Sequence, residues 1–268
     1  MKSGHFAVII VVILFIFSCS TVPLTGRKQL SLIPDTEMYS MSYQQYDQFI
    51  KENKLSQDAQ KTKLVKDVGK HIQGAVEQFM NQNDLGSRLL DYRWEFNLVE
   101  SEEVNAWCMP GGKVVVYTGI LAITQNEAGL AVVMGHEIAH AIAEHGNERM
   151  SQGLLAQMGA VALSAALDEK PEQTKALWMT AYGVGAQFGA LLPFSRQQES
   201  EADHLGLIFM AMAGYDPNEA VNFWQRMSAG KGGQAPPEFM STHPSDQTRI
   251  NNLKKLIPDA MTYYQGAR

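Results

Sequence analysis

The stretch that most constrains this chain is residues 126–146, centred on His136-Glu137-Ile138-Ala139-His140 in an apolar helical run. In an α-helix, side chains at i and i+4 share a face, with Cβ atoms about 5–6 Å apart. Two imidazoles so placed can hold one Zn²⁺ at about 2.0–2.1 Å each without straining the backbone. Glu137, one position round, sits at the edge of that face, where a general base for a metal-activated water belongs. Paired histidines on a helix also recur by chance. Here the flanks are apolar, so both would be buried polar groups in need of partners, and a metal supplies them. Gly146 is the expected stop of this helix.

The rest of the chain is large enough to build a core around it. Its 268 residues are 45% hydrophobic, which suffices for one sizeable core with appendages. The net charge is −6, with 22 basic and 28 acidic residues spread along the sequence, so no nucleic-acid partner is expected.

At the N-terminus, Lys2 precedes the apolar run Phe6–Phe17, which is too short to span a bilayer comfortably and has the proportions of a signal-peptide core. Ile16-Phe17-Ser18-Cys19-Ser20 resembles the lipobox of bacterial lipoproteins, in which the cysteine is lipidated as the first residue of the mature chain. An ordinary signal peptide cut nearby and an uncleaved anchor are the alternatives. On the lipobox reading, 1–18 is a lipoprotein signal peptide and Cys19 anchors the chain through a lipid. Ser20 then looks like the default for sorting to the outer membrane. Residues 19–34, which have no helical period and end at Pro34, read as a tether, and the folded domain is 35–268.

Periodicity organises that domain. Asp35 or Thr36 caps a helix to about Lys54, and a second helix runs from about Gln57 to Asn81, with apolar residues recurring at three and four. His71 on the second helix reads as solvated. Residues 92–100 alternate as a half-buried strand, and Asn105–Met109 and Lys113–Thr118 form two more around Pro110-Gly111-Gly112. The outer strand of such a sheet either aligns an extended peptide or only braces the helix. Leu154–Leu167 and Ala176–Leu192 are almost uncharged and rich in Ala and Gly, including Gly185 and Gly189. They read as a closely packed hairpin, with membrane contact as the alternative. The fold class is mainly α with a small β-sheet.

The second half of the chemistry lies in Phe194–His204. Glu199 and Asp203 stand i and i+4 on a helix, so Glu199 supplies a third ligand and leaves one position for water. Asp203, one turn on, can accept the spare N–H of a ligating histidine. Glu201 is the rival ligand, and His204 faces away. A helix from Asp216-Pro217 to about Ser228 leads into a loose loop, Ala229–Glu238, which delivers Thr242-His243-Pro244-Ser245 ahead of a final helix carrying Arg249.

HExxH, a downstream Glu-x-x-x-Asp helix and a late His-Pro and Arg pair together resemble the M48 family of zinc metalloendopeptidases. The match covers most of 35–256, and Asn105-Ala106-Trp107 with Pro110-Gly111-Gly112 belongs to it. The lipobox followed by Thr25-Gly26-Arg27-Lys28-Gln29-Leu30 looks like the family's Gram-negative lipoprotein branch. The resemblance implies a zincin-like, gluzincin-type domain with one Zn²⁺ per chain, held by His136, His140 and Glu199. Glu137 would be the general base and Asp203 a support behind the metal. His243 and Arg249 would stabilise the oxyanion, and the strand Asn105, Ala106, Trp107, Cys108 and Met109 would align substrate. Cys108 is not part of the family pattern and reads as a small hydrophobe rather than a redox switch.

The implied function is cleavage of misfolded or unassembled envelope proteins at the periplasmic face of the bacterial outer membrane. The chain would be anchored by its lipid, with outer-membrane assembly machinery as a partner. A lipid-anchored, chaperone-like assembly factor with little proteolysis is one alternative, and a zinc hydrolase of a non-peptide amide is another. His243 on its loop is also placed to fill the fourth metal position at rest, closing the site as structural zinc sites are closed.

Overall fold

The computed structural model describes residues 19–187, 191–229, 239–240, 243 and 247–266. The expected signal peptide, Gly189, nearly all of the 229–238 loop, and Thr242, Pro244 and Ser245 lie outside these described residues. In chain order the principal elements are β1 (Cys19–Thr21), β2 (Lys28–Leu30), α1 (Asp35–Glu52), α2 (Ala59–Gln82), β3 (Glu95–Val99), β4 (Ala106–Met109) and β5 (Lys113–Tyr117). They continue with α3 (Glu127–Ile142), α4 (His145–Ala166), α5 (Glu172–Ala186), α6 (Leu192–Met212), α7 (Glu219–Ala229) and α8 (Gln247–Ala260). The mainly α fold with a small sheet is as expected. The chain divides into two compact units, one made of 1–38 with 144–198 and the other of 39–143 with 199–268.

The larger unit is built on a helix buried on all sides. Asn126 caps α3 by accepting the Gly129 N–H at 2.8 Å, and every residue from Gly129 to Ile142 is buried. A helix apolar all round belongs at a centre rather than on a face. One of its neighbours is α2, whose Val65, Val68, Ile72, Val76 and Phe79 recur at three and four and are almost wholly buried. Asp58 caps α2 through the Gln60 and Lys61 N–H groups. His71 on α2 is half-buried, with its Nδ1 2.9 Å from the Tyr215 hydroxyl, a partnered group rather than the expected solvated one. Nothing in the polar sequence around His71 announces Tyr215.

The sheet has the order β3-β5-β4, with β5 parallel to β3 and antiparallel to β4. Central β5 is an apolar run (Val114, Val115 and Val116), fully buried. Its turn from β4 needs Gly111 and Gly112, both left-handed at φ +85° and +87°. Strand β4 packs on α3 and, among the described residues, pairs with β5 alone, which puts it at the end of this sheet.

From Glu199 onward α6 also belongs to this unit. It crosses α3 where glycine meets glycine: a Cβ on Gly135 would stand 2.9 Å from the Gly206 carbonyl oxygen, and one on Gly206 would stand 2.9 Å from the His136 amide nitrogen. Backbone-to-backbone approach of this kind admits no side chain on either helix. It sits directly beside the first histidine of the HExxH motif.

In the smaller unit, 19–34 is more ordered than the sequence reading of a tether. β1 and β2 pair antiparallel, with Cys19 opposite Leu30. Strands this short carry too few residues for an alternating pattern to register. The expected helix stop at Gly146 also moves. α3 ends at Ile142, the chain breaks at Glu144, which is left-handed at φ +58°, and Gly146 lies in the first turn of α4. Helices α4 and α5 pack together, with the Tyr182 hydroxyl donating to the Ala156 carbonyl at 2.9 Å. Among the described residues, no helix is long and apolar enough to cross a membrane.

Candidate metal centre

Four buried side chains of the larger unit converge. One ligand atom from each of His136, His140, Glu199 and His243 lies within 4.8 Å of all the others. His140 Nε2 is 3.1 Å from His136 Nε2, which is 3.1 Å from His243 Nδ1. The Glu199 carboxylate closes the set, at 3.4 Å from His136 Nε2, 3.3 Å from His140 Nε2 and 2.9 Å from His243 Nδ1. Ligands about 2.0–2.1 Å from one tetrahedral ion stand roughly 3.3 Å from one another. Three imidazoles and a carboxylate at these separations are therefore a donor set that fits a single Zn²⁺.

The orientation of His136 is set from behind. Its Nδ1–H donates to Asp203 Oδ1 at 3.1 Å, the tautomer that turns the Nε2 lone pair toward the other three ligands. Asp203 is held in turn by Arg249, whose Nε donates to Oδ2 at 3.0 Å and whose Nη2 donates to Oδ1 at 2.5 Å. Arg249 Nη1 also donates to Glu199 Oε2 at 3.3 Å, and the guanidinium lies 3.8 Å over the Trp224 ring. The i, i+4 spacing of Glu199 and Asp203 places one carboxylate at the ligand cluster and the other behind it. Glu201 is buried but outside the cluster, and His204 pairs with Asp259 at 2.7 Å.

The electrostatics call for a cation. Burial disfavours the Glu199 carboxylate, yet hydrogen bonds from His136, His140 and His243 outweigh it and hold the group far below the usual carboxylate range. Burial also presses the His136 imidazole toward neutrality, and Arg249 adds to that. Asp203 and Glu199 overcome both and raise it to about 9. Without a metal, His136 therefore holds a proton at neutral pH against these carboxylates.

Glu137, buried, faces the opposite nitrogen of His243, with Oε1 3.2 Å from Nε2. His243 thus spans the site, one nitrogen among the ligands and the other against Glu137. Phe239 packs on His243 at 4.9 Å between ring centroids and on Trp224 at 5.7 Å, forming an aromatic wall behind the imidazole.

The strand residues 105–109 divide by face. Trp107 and Met109 pack into a cluster with Tyr46, Val99 and Val115, and Phe49 meets Trp107 edge-on at 4.9 Å. Alternation turns Cys108 the other way, toward Glu137. Desolvation, then the Glu137 carboxylate, raise the Cys108 thiol well above its ordinary range, so it stays protonated at neutral pH. Asn105 Oδ1 accepts the Ala106 N–H at 2.9 Å, and Ala106 is buried.

Sequence reasoning missed the Gly135–Gly206 contact and the aromatic wall. The glycines were visible in their helical runs, and Phe223-Trp224 sat on an amphipathic stretch. Only the pairing of helices gives either a role.

The model of peptidase family M48 matches residues 68–257. The chain is 38% identical over 175 residues to the mitochondrial metalloendopeptidase OMA1 of Schizosaccharomyces pombe, covering 65% of this chain and 50% of that protein. It is 32% identical over 249 residues to the mitochondrial metalloendopeptidase OMA1 of Bos taurus, covering 89% of this chain and 46% of the relative. It is also 31% identical over 182 residues to the beta-barrel assembly-enhancing protease of Yersinia pestis, covering 64% and 37%. The chain thus spans half or less of the length of these three relatives.

Proposed function

The chain belongs to peptidase family M48, and from that premise we propose that it is a zinc-dependent endopeptidase acting on misfolded or unassembled proteins. The observation that carries this is the four-residue donor set at zinc spacing with Glu137 beside it. One Zn²⁺ per chain, held by His136, His140 and Glu199, would polarise a peptide carbonyl and lower the pKa of a water to about 7. Glu137 takes the proton of the attacking water and hands it to the departing amine. His243 supplies an oxyanion donor, typically worth about 2.7–4 kcal/mol, while Arg249, expected beside it, is engaged by Asp203 and Glu199 and supports the ligands from behind. The outer side of β4, an edge among the described residues, aligns the substrate by main-chain hydrogen bonds, which suits a protease of broad sequence tolerance.

The test is zinc content and casein cleavage by the full chain and its Glu137→Gln variant. Zinc in both with cleavage only by the wild type is expected. Near-normal cleavage by Glu137→Gln would sink the assignment.

His243 in the fourth position supports a second element, a closed resting state. Release of His243 exposes the metal and frees the imidazole for the oxyanion. His243→Ala removes plug and donor together: higher basal cleavage is expected where the plug limits the resting enzyme, and a rate about 10²–10³-fold lower would make His243 a donor only.

The cellular setting is inferred from the N-terminus and the bacterial relatives. Processing before Cys19 removes 1–18, and a lipid on Cys19 holds the domain of 35–268 at the periplasmic face of a Gram-negative outer membrane. The substrates are then envelope proteins, and outer-membrane assembly machinery is the partner. The lipobox-like run 16–20 supports the anchor, and relatives named for β-barrel assembly support the substrate class.

A further inference from the structure

In the smaller unit, one surface has no explanation in the fold. Leu154, Met158 and Val161 on α4 and Leu177, Trp178 and Val184 on α5 are 43–69% exposed. The α4 positions recur at four and three, so they share one helical face. No charged side chain occurs from Met150 to Leu167 or from Ala176 to Gln187. Charge gathers instead at the tip, in Asp168, Glu169, Lys170, Glu172 and Lys175. Exposed apolar surface on two packed helices marks a contact surface.

What covers it follows from how the chain is held just after residue 19. Ser20 Oγ donates to Glu144 Oε2 at 2.9 Å, and Arg27 donates twice to Glu148, at 2.7 and 2.8 Å. The Leu32 N–H donates to Ser151 Oγ at 2.9 Å, and all these residues belong to one compact unit. Strands β1 and β2 are therefore fastened to the first turns of α4. A lipid on Cys19 enters the bilayer from the base of the hairpin, not from the end of a free tether. From Ser151 to Ala166, α4 is about 24 Å long at 1.5 Å per residue. The exposed apolar residues of α4 thus stay within roughly that distance of the fastened strands.

We propose that the outward side of the α4–α5 hairpin docks on the lipid bilayer, a second membrane contact beside the lipid on Cys19. The proposal rests on the Cys19 reading for its occupant. With no membrane-crossing helix among the described residues, the contact is interfacial, the apolar side seated at the boundary of headgroups and acyl chains. Trp178 takes the interface position that amphipathic aromatics favour. The mixed charge at the tip predicts docking without a requirement for anionic lipid.

The experiment uses the full chain purified from bacterial membranes and reconstituted into phosphatidylcholine vesicles with brominated acyl chains, against unbrominated controls. Bromine is expected to quench wild-type tryptophan emission, and Trp178→Phe is expected to lose more than half of that quenching. A Val161→Gln/Leu177→Gln double variant, with Trp178 in place, is expected to reduce it at least two-fold. An equal quenched fraction in wild type and Trp178→Phe overturns the proposal. So does light scattering that shows a dimer dispersed by the double variant, since a second copy then covers the face. The intact mass of the same preparation reads the lipid separately. Lipid present with Trp178 unquenched defeats the hairpin contact alone. Trp178 quenched without lipid keeps the contact and removes the Cys19 reading. Neither one overturns both.

Discussion

Asp203 and Glu199 are carboxylates one helical turn apart, and their surroundings give them different tasks. Glu199 receives three imidazoles. Asp203 receives one imidazole N–H and both arms of the Arg249 fork. Burial disfavours its charge, but Arg249 and His136 hold Asp203 below its ordinary range, so it remains a permanent acceptor. Asp203→Asn keeps the shape and loses the charge that fixes the His136 tautomer. Losing such a partner typically costs about 10–100-fold in metal affinity. Competition with a chelator should find the Asp203→Asn site weaker by that range with the helical content intact, and an unchanged affinity would count against the orienting role. The ligands on α3 and α6 were legible in the sequence because a helix converts spacing directly into a shared face. The placement of His243 Nδ1 among them was open, because His243 follows a loop with no period.

Among the elements, the sheet adds a titratable tie. Glu95 on β3 stands opposite Lys113 on β5, with Oε2 3.0 Å from Nζ. Burial pushes the Glu95 carboxyl up, but Lys113, then Asn97 and Tyr46, outweigh it and hold the group below its ordinary value. A folded pKa below the unfolded value of about 4.3 gives stability that is present above that pH and lost as pH falls through the folded value. The Tm difference between wild type and Glu95→Gln should therefore be steady from about pH 7 to 5 and close below about pH 4. A difference unchanged at pH 3 would mean the pair contributes nothing. The strands themselves were readable from alternation in 92–100 and the glycine turn at 111–112. β1 and β2 were not, since three residues hold no period. The end of α3 was misplaced for a related reason. Glycine is the usual left-handed residue after a helix, whereas here Glu144 takes that conformation and its carboxylate accepts from Ser20.

At the scale of the molecule, the N-terminal segment is tied into the fold chiefly by an ion pair that is part-buried at Arg27 and buried at Glu148. Arg27 grips Glu148 with both arms, and the fully buried Gln198 donates to the same carboxylate at 2.7 Å. Removing one partner of such a pair strands the other charge, at a cost of about 3–5 kcal/mol. Arg27→Ala should speed amide hydrogen exchange across the first turns of α4 and in β2, with a smaller change at α2. Exchange that is unaltered in α4 would show the pair to be dispensable.

The order of the ligands along the chain has a last consequence. His136 and His140 come before residues 144–198, and Glu199 comes immediately after them. Residues 144–198 are thus an insertion in chain order between the second and third of these ligands. A protease that severs the chain at the hairpin tip, between Asp168 and Glu172, cuts no ligand from its helix. The two fragments would still share the α3–α6 crossing, and a bound metal would add ligands drawn from both, so such a nick is expected to leave the site assembled.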